Sequence, residues 1–160
     1  MEVLLAQPRG FCAGVVRAVK IVELALEVHG APVYVFHEIV HNRHVVDSLK
    51  AQGAVFVDSL ADLAPKSVVI FSAHGVSNAV VRQARAMNLE VIDATCPLVA
   101  KIHLQAQRYS RKGYEIVIIG HPGHDEVEAT MGSIDGPVHI ASSSAEALAI
   151  EAATRNALLM

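Results

Sequence analysis

Two cysteines are the residues of this 160-residue chain whose type and placement point most directly to chemistry. Cys12 lies in the segment Pro8–Val15, PRGFCAGV, and Cys96 lies in Ala94–Pro97, ATCP. Each cysteine follows a short apolar run and precedes a helix-like run, which predicts a strand-to-helix turn, the usual position of a site in an α/β fold. The N-terminus of the following helix favours the thiolate, the form that ligates metal or attacks.

The chemistry of these two thiols depends on whether their turns meet. Neither cysteine belongs to a CxxC motif, so the sequence does not indicate a thioredoxin-type dithiol. Thiolates from separate turns suit a soft metal or an iron–sulfur cluster, whereas a zinc site would need two further ligands, which histidines could supply. Spacing alone leaves the cluster and the zinc site both open. A buried cysteine that acts as a small apolar residue is the simpler alternative.

Three of the nine histidines, His41, His74 and His124, each follow a predicted strand. Imidazoles at strand ends near helix N-termini make a binding site for an anion such as phosphate. One such histidine would be explained as a satisfied or solvated residue, but three at equivalent positions favour a functional site. Glu126, close to His124, is a candidate proton donor, with a solvated surface carboxylate as the alternative.

The segment His37–His41, HEIVH, matches the HExxH motif of zinc proteases. That motif binds zinc only on a helix, where residues four apart share a face. Here it follows the predicted strand Val33–Phe36 without a break. We therefore interpret the match as a coincidence.

Composition excludes several classes of protein. The net charge of −3 gives no electrostatic footprint for DNA or RNA. No apolar run approaches the roughly 18 residues that a membrane span needs, and the N-terminus lacks the pattern of a signal peptide. We expect a cytoplasmic protein with no nucleic-acid or membrane partner, in which a structural disulfide is disfavoured.

Strands and helices alternate along the chain, which predicts an α/β protein with parallel sheets. The predicted strands are Val3–Ala6, Val33–Phe36, Ala54–Val57, Val68–Ser72, Glu90–Asp93, Glu115–Ile119 and Val138–Ala141. The predicted helices are Val15–Val28, Val45–Gln52, Asn78–Met87, Leu98–Arg111 and Ala145–Ala153. Ser77 and Cys96 are expected as helix caps, with Pro97 at a first helical position.

The order strand, cysteine, helix, glycine, strand, histidine occurs twice. His41 follows Cys12 by 29 residues, and His124 follows Cys96 by 28 residues. The simplest account is a pseudo-repeat of two similar parallel α/β units, residues 1–95 and 96–160. Each unit would offer one thiol and one imidazole from its strand ends.

Five segments occur in a fixed order between residues 8 and 132: PRGFCAGV, HEIVHN, FSAHGVS, DATCPLV and GHPGHDEVEATMG. Together they closely resemble the LytB (IspH) family of 4-hydroxy-3-methylbut-2-enyl diphosphate reductases. The resemblance implies an oxidoreductase of the non-mevalonate isoprenoid pathway with an oxygen-sensitive 4Fe–4S cluster that three cysteines hold. In that family an open iron binds the allylic hydroxyl of the substrate. Two electrons and two protons then remove the hydroxyl as water, giving isopentenyl and dimethylallyl diphosphate.

Carried over by position, the resemblance implies a role for each candidate residue. The cluster ligands would be Cys12 and Cys96, the diphosphate-binding residues His41, His74 and His124, and the proton donor Glu126. It also implies a small allylic diphosphate as substrate and ferredoxin or flavodoxin as electron donor.

The chain departs from the family in its length and its cysteine content. Family members are considerably longer and have three α/β units around the cluster, whereas this sequence has two cysteines and ends at Met160. The tail Asn156–Met160 is similar to a family strand. We therefore expect an N-terminal fragment that lacks the third unit, is inactive or binds a cluster weakly, and exposes an apolar face with unpaired strand edges.

Two other readings remain open for the isolated chain. One is a non-catalytic α/β anion-binding module that has lost the cluster, and the absent third cysteine favours it. The other, ranked far below, is a zinc-dependent hydrolase built on HEIVH.

Overall fold

A computed structural model describes residues 2–150 and 156–160 of the chain. The strands are β1 (Val33–Phe36), β2 (Ala54–Val57), β3 (Val68–Phe71), β4 (Glu90–Asp93), β5 (Glu115–Ile119), β6 (Val138–Ala141) and β7 (Ala157–Leu159). The helices are α1 (Ala13–His29), α2 (Arg43–Ala51), α3 (Asn78–Ala86), α4 (Pro97–Ser110), α5 (Asp125–Met131) and α6 (Ser144–Ala149). The predicted α/β class is confirmed.

The strands form two parallel sheets. The four-stranded sheet has the order β2-β1-β3-β4, and the three-stranded sheet has the order β6-β5-β7. The carboxyl ends of parallel strands lie together, so the loops that follow β1, β3 and β4 meet along one edge of the first sheet. Those loops carry His41, His74 and Cys96.

The four-stranded sheet is covered on both faces. Alternation along β1 sends Val33 and Val35 into one apolar cluster and Phe36 into another. Helix α1 packs on the first face through Ala18 and Val22, which are four residues apart and fully buried. This double covering holds the strand ends, and therefore the loops beyond them, in fixed positions.

The second sheet is joined to the first through the start of α3 and the end of α5. The backbone N–H of Asn78 donates to the Gly132 carbonyl at 2.9 Å, and Asn78 Nδ2 donates to the Ser133 carbonyl at 3.1 Å. A Cβ on Gly132 would overlap the Ser77 side chain, so the two helices approach as closely as their backbones allow. This contact places the N-terminus of α5 beside the first sheet.

The expected strand at Val3–Ala6 is wrong. Residues 2–6 form no strand, and Val3, Leu4 and Leu5 are largely exposed to solvent. An apolar run satisfies the strand pattern, but a strand exists only when a neighbour completes its hydrogen bonds, and none of the described residues does so.

Two other differences concern helices. Helix α5 was not predicted, because its short acidic sequence follows a turn and carries little apolar periodicity. Helix α6 ends at Ala149, four residues before the expected end at Ala153, and residues 151–155 lie outside the described residues. The strand expected in the tail is confirmed as β7.

The division at residues 95 and 96 remains our proposal. It falls between the last strand of the first sheet and the first strand of the second. None of the described helices is long and apolar enough to cross a membrane.

Candidate functional site

The two thiols come together at the starts of two helices. Cys12 is the N-cap of α1 and Cys96 the N-cap of α4, and neither side chain makes a capping hydrogen bond. A Cβ built on Gly14 would lie 2.7 Å from the Sγ of Cys96 and 3.8 Å from the Sγ of Cys12. The separation of the sulfurs therefore cannot exceed the sum of these distances, and Gly14 leaves the space beside them open.

Backbone and side-chain hydrogen bonds hold Cys96 in this position. Its N–H donates to the Ala73 carbonyl at 2.9 Å, which continues the pairing of β3 with β4 beyond the strands. Arg17, on α1, donates from Nη1 to the carbonyls of Ala94 at 3.3 Å and Thr95 at 3.0 Å. Sequence reasoning missed Arg17, whose signal is a cation in the otherwise apolar first two turns of α1, shortly after Cys12.

The residues present fit an iron–sulfur centre as two of its ligands. Cys12 is exposed and Cys96 half-buried, both are free thiols, and each is the N-cap of a helix, whose positive dipole end favours a thiolate. Soft thiolates are the ligands that such a centre requires. The sequence contains no further cysteine that could complete the set.

The three predicted histidines form one cluster. The ring centroids of His41 and His74 lie 4.2 Å apart with an interplanar angle of 23°, so the rings are stacked. The His124 ring lies 5.2 Å from that of His41 and 6.1 Å from that of His74. The first two come from loops after β1 and β3, and the third comes from the start of α5.

Burial sets the protonation of His74. Its side chain is almost enclosed, and Nδ1 lies 3.4 Å from the Ser72 Oγ. Desolvation, followed by the neighbouring His41, lowers the pKa of His74 from its ordinary value of 6.5, against an opposing effect of Asp125. His74 therefore favours the neutral imidazole at pH 7.

His124 caps α5 with its ring. The backbone N–H of Glu126 donates to His124 Nδ1 at 3.3 Å. An Nδ1 that accepts a hydrogen bond carries no proton, so the proton of the neutral ring is on Nε2. The cap escaped sequence reasoning because Ser, Thr, Asp and Asn are the residues that usually fill this position.

Glu126 lies on the first turn of α5 and is half-buried. It lines a cavity of about 520 Å³ together with His124, Ile118 and Met160. The cavity thus has largely apolar walls, with Glu126 and His124 among its polar lining residues.

Asp125 also reaches the histidine cluster, although sequence reasoning did not select it. Its Oδ1 lies 3.8 Å from His37 Nδ1, and its Oδ2 lies 3.9 Å from His74 Nδ1. The sequence could have indicated Asp125, because it lies between the two candidate residues His124 and Glu126.

The HEIVH segment is not helical. Residues 37–41 form a loop with bends, and His37 has a φ of 60°. The geometry that HExxH needs is therefore absent from this segment, in agreement with its interpretation as a coincidence.

Two parallel sheets, with paired thiols at helix starts and imidazoles at strand ends, define a parallel α/β protein with a polar candidate site at one edge of its first sheet. The chain belongs to the LytB protein family, whose family model matches residues 3–160.

Similar proteins are known from several organisms. The 4-hydroxy-3-methylbut-2-enyl diphosphate reductase of Zymomonas mobilis is 58% identical over 144 residues, which are 90% of this chain and 42% of that protein. The Plasmodium falciparum E-1-hydroxy-2-methyl-but-2-enyl-4-diphosphate reductase structure superposes with a TM-score of 0.91 at 36% identity, covering 96% of this chain and 49% of that one. A structure described as the terminal enzyme of the non-mevalonate pathway gives 0.77 at 33% identity, covering 90% and 52%. The chain thus spans about half the length of the relatives it matches.

Proposed function

We propose that this chain provides the thiol and imidazole side of the site of a 4-hydroxy-3-methylbut-2-enyl diphosphate reductase. The reaction removes the allylic hydroxyl as water, consumes two electrons and two protons, and gives isopentenyl and dimethylallyl diphosphate. The observation that carries the proposal is the convergence of Cys12 and Cys96 at the sheet edge that also gathers the histidine cluster. The names of the relatives support it.

Cys12 and Cys96 would hold two corners of a 4Fe–4S cluster, and the third cysteine would come from outside these 160 residues. Both sulfurs lie beside Gly14, where no Cβ fills the space. The first-turn N–H groups of α1 and α4 would stabilise the negative charge of the thiolates. When bound, the cluster supplies electrons and a Lewis-acidic iron.

The three histidines would bind the diphosphate. His124 offers Nε2–H as a donor because its Nδ1 is occupied by the Glu126 amide. His41 is exposed and can turn its ring toward an anion, while the buried His74 stacks against the His41 ring. A diphosphate accepts several hydrogen bonds at once, which suits donors that converge from three loops.

Glu126 would deliver a proton to the departing hydroxyl. Glu126 lies on the first turn of α5 and lines the same cavity as His124, which supports this role. The apolar walls of that cavity suit the five-carbon part of the substrate and keep water from it.

The electron donor would be a ferredoxin or a flavodoxin, and the protein would work in the cytoplasm. Free thiols that hold a cluster require a reducing compartment.

Anaerobic reconstitution of the chain with iron and sulfide tests the thiol part of this proposal. We expect iron and sulfide to bind weakly, because these 160 residues supply only two of the three thiolates, with an electron paramagnetic resonance signal of a four-iron cluster after reduction. C12S and C96S should each reduce bound iron to the background level, whereas A13S, at an exposed position on the same turn, should retain it. Equal iron in the wild type and both serine variants would overturn the cluster assignment.

Pyrophosphate binding, measured by calorimetry, tests the imidazole part separately. H41N should weaken binding about tenfold or more, and H44N, which changes an exposed histidine on α2, should not. Pyrophosphate binding without cluster formation would instead support the non-catalytic anion-binding module. Stoichiometric zinc with no iron would support the hydrolase reading.

A further inference from the structure

His37 occupies an unusual backbone position directly after β1. Its φ of 60° lies in the left-handed region, where histidine, asparagine and aspartate are more frequent than other residues apart from glycine. The backbone N–H of His37 still donates to the Val57 carbonyl at 2.9 Å, so the pairing of β1 with β2 extends to this residue. The chain therefore turns at a point that the sheet holds in place.

The ring of His37 packs against the buried side chain of Phe36. The two ring centroids lie 4.1 Å apart with an interplanar angle of 72°, which is an edge-to-face arrangement. The His37 side chain is half-buried as a result. Its ring is therefore more restricted in orientation than the ring of a fully exposed histidine.

Two carboxylates from different elements face Nδ1 of this ring. Asp58, directly after β2, has its Oδ1 3.7 Å away, and Asp125, on α5, has its Oδ1 3.8 Å away. Both are ion-pair distances and are too long for hydrogen bonds. Water screens Asp58, which is almost fully exposed, whereas Asp125 is half-buried. Asp125 is therefore the more important partner of His37.

Asp125 also faces the histidine cluster. Its Oδ2 lies 3.9 Å from His74 Nδ1, and an uncompensated negative charge there would oppose the binding of an anion by the cluster. Among residues 2–150 and 156–160, His37 and His74 are the cationic groups within ion-pair distance of Asp125. Burial favours the neutral ring of His74, so the compensating charge has to come from His37. Histidine is suited to this task because an imidazole can take up a proton near neutral pH.

We propose that His37 is a positioning residue that holds the Asp125 carboxylate and compensates its charge, which leaves the histidine cluster able to bind an anion. Asp125 is the first residue of α5, so the same contact ties the start of α5, with His124 and Glu126, to the edge of the four-stranded sheet. The inference deepens the proposed function and rests on it for the anion. The pairing of His37 with Asp125 does not depend on that function.

A double-mutant cycle on pyrophosphate binding, measured by calorimetry, tests the compensation. H37N removes the imidazole and introduces a side chain that tolerates a positive φ, so the backbone should be retained. We expect H37N to weaken pyrophosphate binding by about threefold or more, because the Asp125 charge is then uncompensated. H37N/D125N should bind within about twofold of D125N alone, because no carboxylate remains to be compensated.

H44N, at an exposed histidine on α2, is the matched control and should bind pyrophosphate as the wild type does. An equal loss of affinity from H37N with and without D125N would show that His37 acts independently of Asp125 and would overturn the proposal. So would unchanged affinity in H37N. Circular dichroism of each variant shows whether a loss of binding reflects a loss of fold.

Urea unfolding of the same variants tests the pair without a ligand. If His37 and Asp125 stabilise each other, H37N and D125N together should change the unfolding equilibrium constant by less than the product of their separate effects. The effects of H37N and D58N should simply multiply, because water screens Asp58. Effects that multiply for Asp125 as well would contradict the pair. A wild-type chain that bound no pyrophosphate would overturn the diphosphate part of the proposed function, and the unfolding cycle would still decide on the pair.

Discussion

The Sγ of Cys96 lies 2.7 Å from the point that a Cβ on Gly14 would occupy. Gly14 has an ordinary helical conformation on α1, so backbone strain does not require glycine at this position. Glycine is required because the Cys96 sulfur, at the start of α4, lies where a side chain at position 14 would be. Gly14 is thus the residue that lets the two thiols share one space.

Gly14→Ala should separate the effect on the thiols from an effect on folding. The added methyl group would displace the Cys96 sulfur, so bound iron after reconstitution should fall at least severalfold. Displacing the sulfur costs stability, but alanine is favoured over glycine in helices by about 1 kcal/mol, which offsets part of that cost. The free energy of unfolding should therefore fall by no more than about 1 kcal/mol. A13S is the matched control, and unchanged iron binding in G14A would contradict the shared space.

Arg17→Leu should disturb Cys96 from a distance. The variant loses two hydrogen bonds to the Ala94 and Thr95 carbonyls, and we expect the free energy of unfolding to drop by about 1 kcal/mol. Bound iron should fall as well, because the Cys96 loop loses its attachment to α1. K20Q removes only an exposed ion pair with Glu23 on the same helix, and should change stability by less than about 0.5 kcal/mol in denaturant unfolding.

Gly132→Ala should loosen the contact between the two sheets. The methyl group would overlap Ser77, and overpacking of this kind costs about 1–3 kcal/mol. Because α5 carries His124, we expect weaker pyrophosphate binding in addition to a lower unfolding free energy. A79S, on the exposed side of α3, should behave as wild type, and so should G132A if the two sheets were held together elsewhere.

His103 should make the stability of the protein pH-dependent. Its Nε2 is buried with no hydrogen-bond partner among the described residues, and burial lowers its pKa from 6.5, with Glu126 and Asp93 acting in the opposite direction. The unfolded chain therefore takes up the proton first as pH falls. The contribution of His103 is complete above about pH 6.5 and is lost as pH falls from there toward the lowered pKa.

His103→Leu removes this titration and an unsatisfied polar atom. At pH 7.5 the variant should be as stable as wild type or more stable, since the buried nitrogen has no partner to lose. Between pH 7 and pH 5 its unfolding free energy should decline less steeply than that of the wild type. H44N should keep the wild-type slope, and a parallel slope in H103L would assign the pH dependence to other groups.

The strands β1, β3 and β5 could be predicted because they are largely buried runs rich in β-branched residues, and the others because they are short apolar runs between turn residues. β1, β2, β4, β5 and β6 have the predicted bounds. Short apolar runs at positions 33 and 54 pair in register with each other, which is the property that the run at Val3–Ala6 lacks. Hydrophobicity predicts that a strand is possible, and the presence of a partner decides whether it forms.

The site was predictable where its residues lie at strand ends or at helix starts. His41 and His74 follow strands, so the sheet topology brings them together. Asp125 and Arg17 act across elements, and their partners depend on how α5 and α1 pack. A single sequence carries no signal for such packing. The contact at Gly132, for example, depends on how closely its backbone fits against Ser77, and no residue pattern encodes that fit.

The imidazole cap of α5 also restricts how protons travel in this corner of the molecule. The lone pair of His124 Nδ1 is engaged by the Glu126 amide, so this ring can release a proton from Nε2 but cannot collect one at Nδ1 without uncapping the helix. His124 is therefore no relay for its neighbour. If Glu126 donates a proton as we propose, His124 would not return one to it through Nδ1 while the cap is intact.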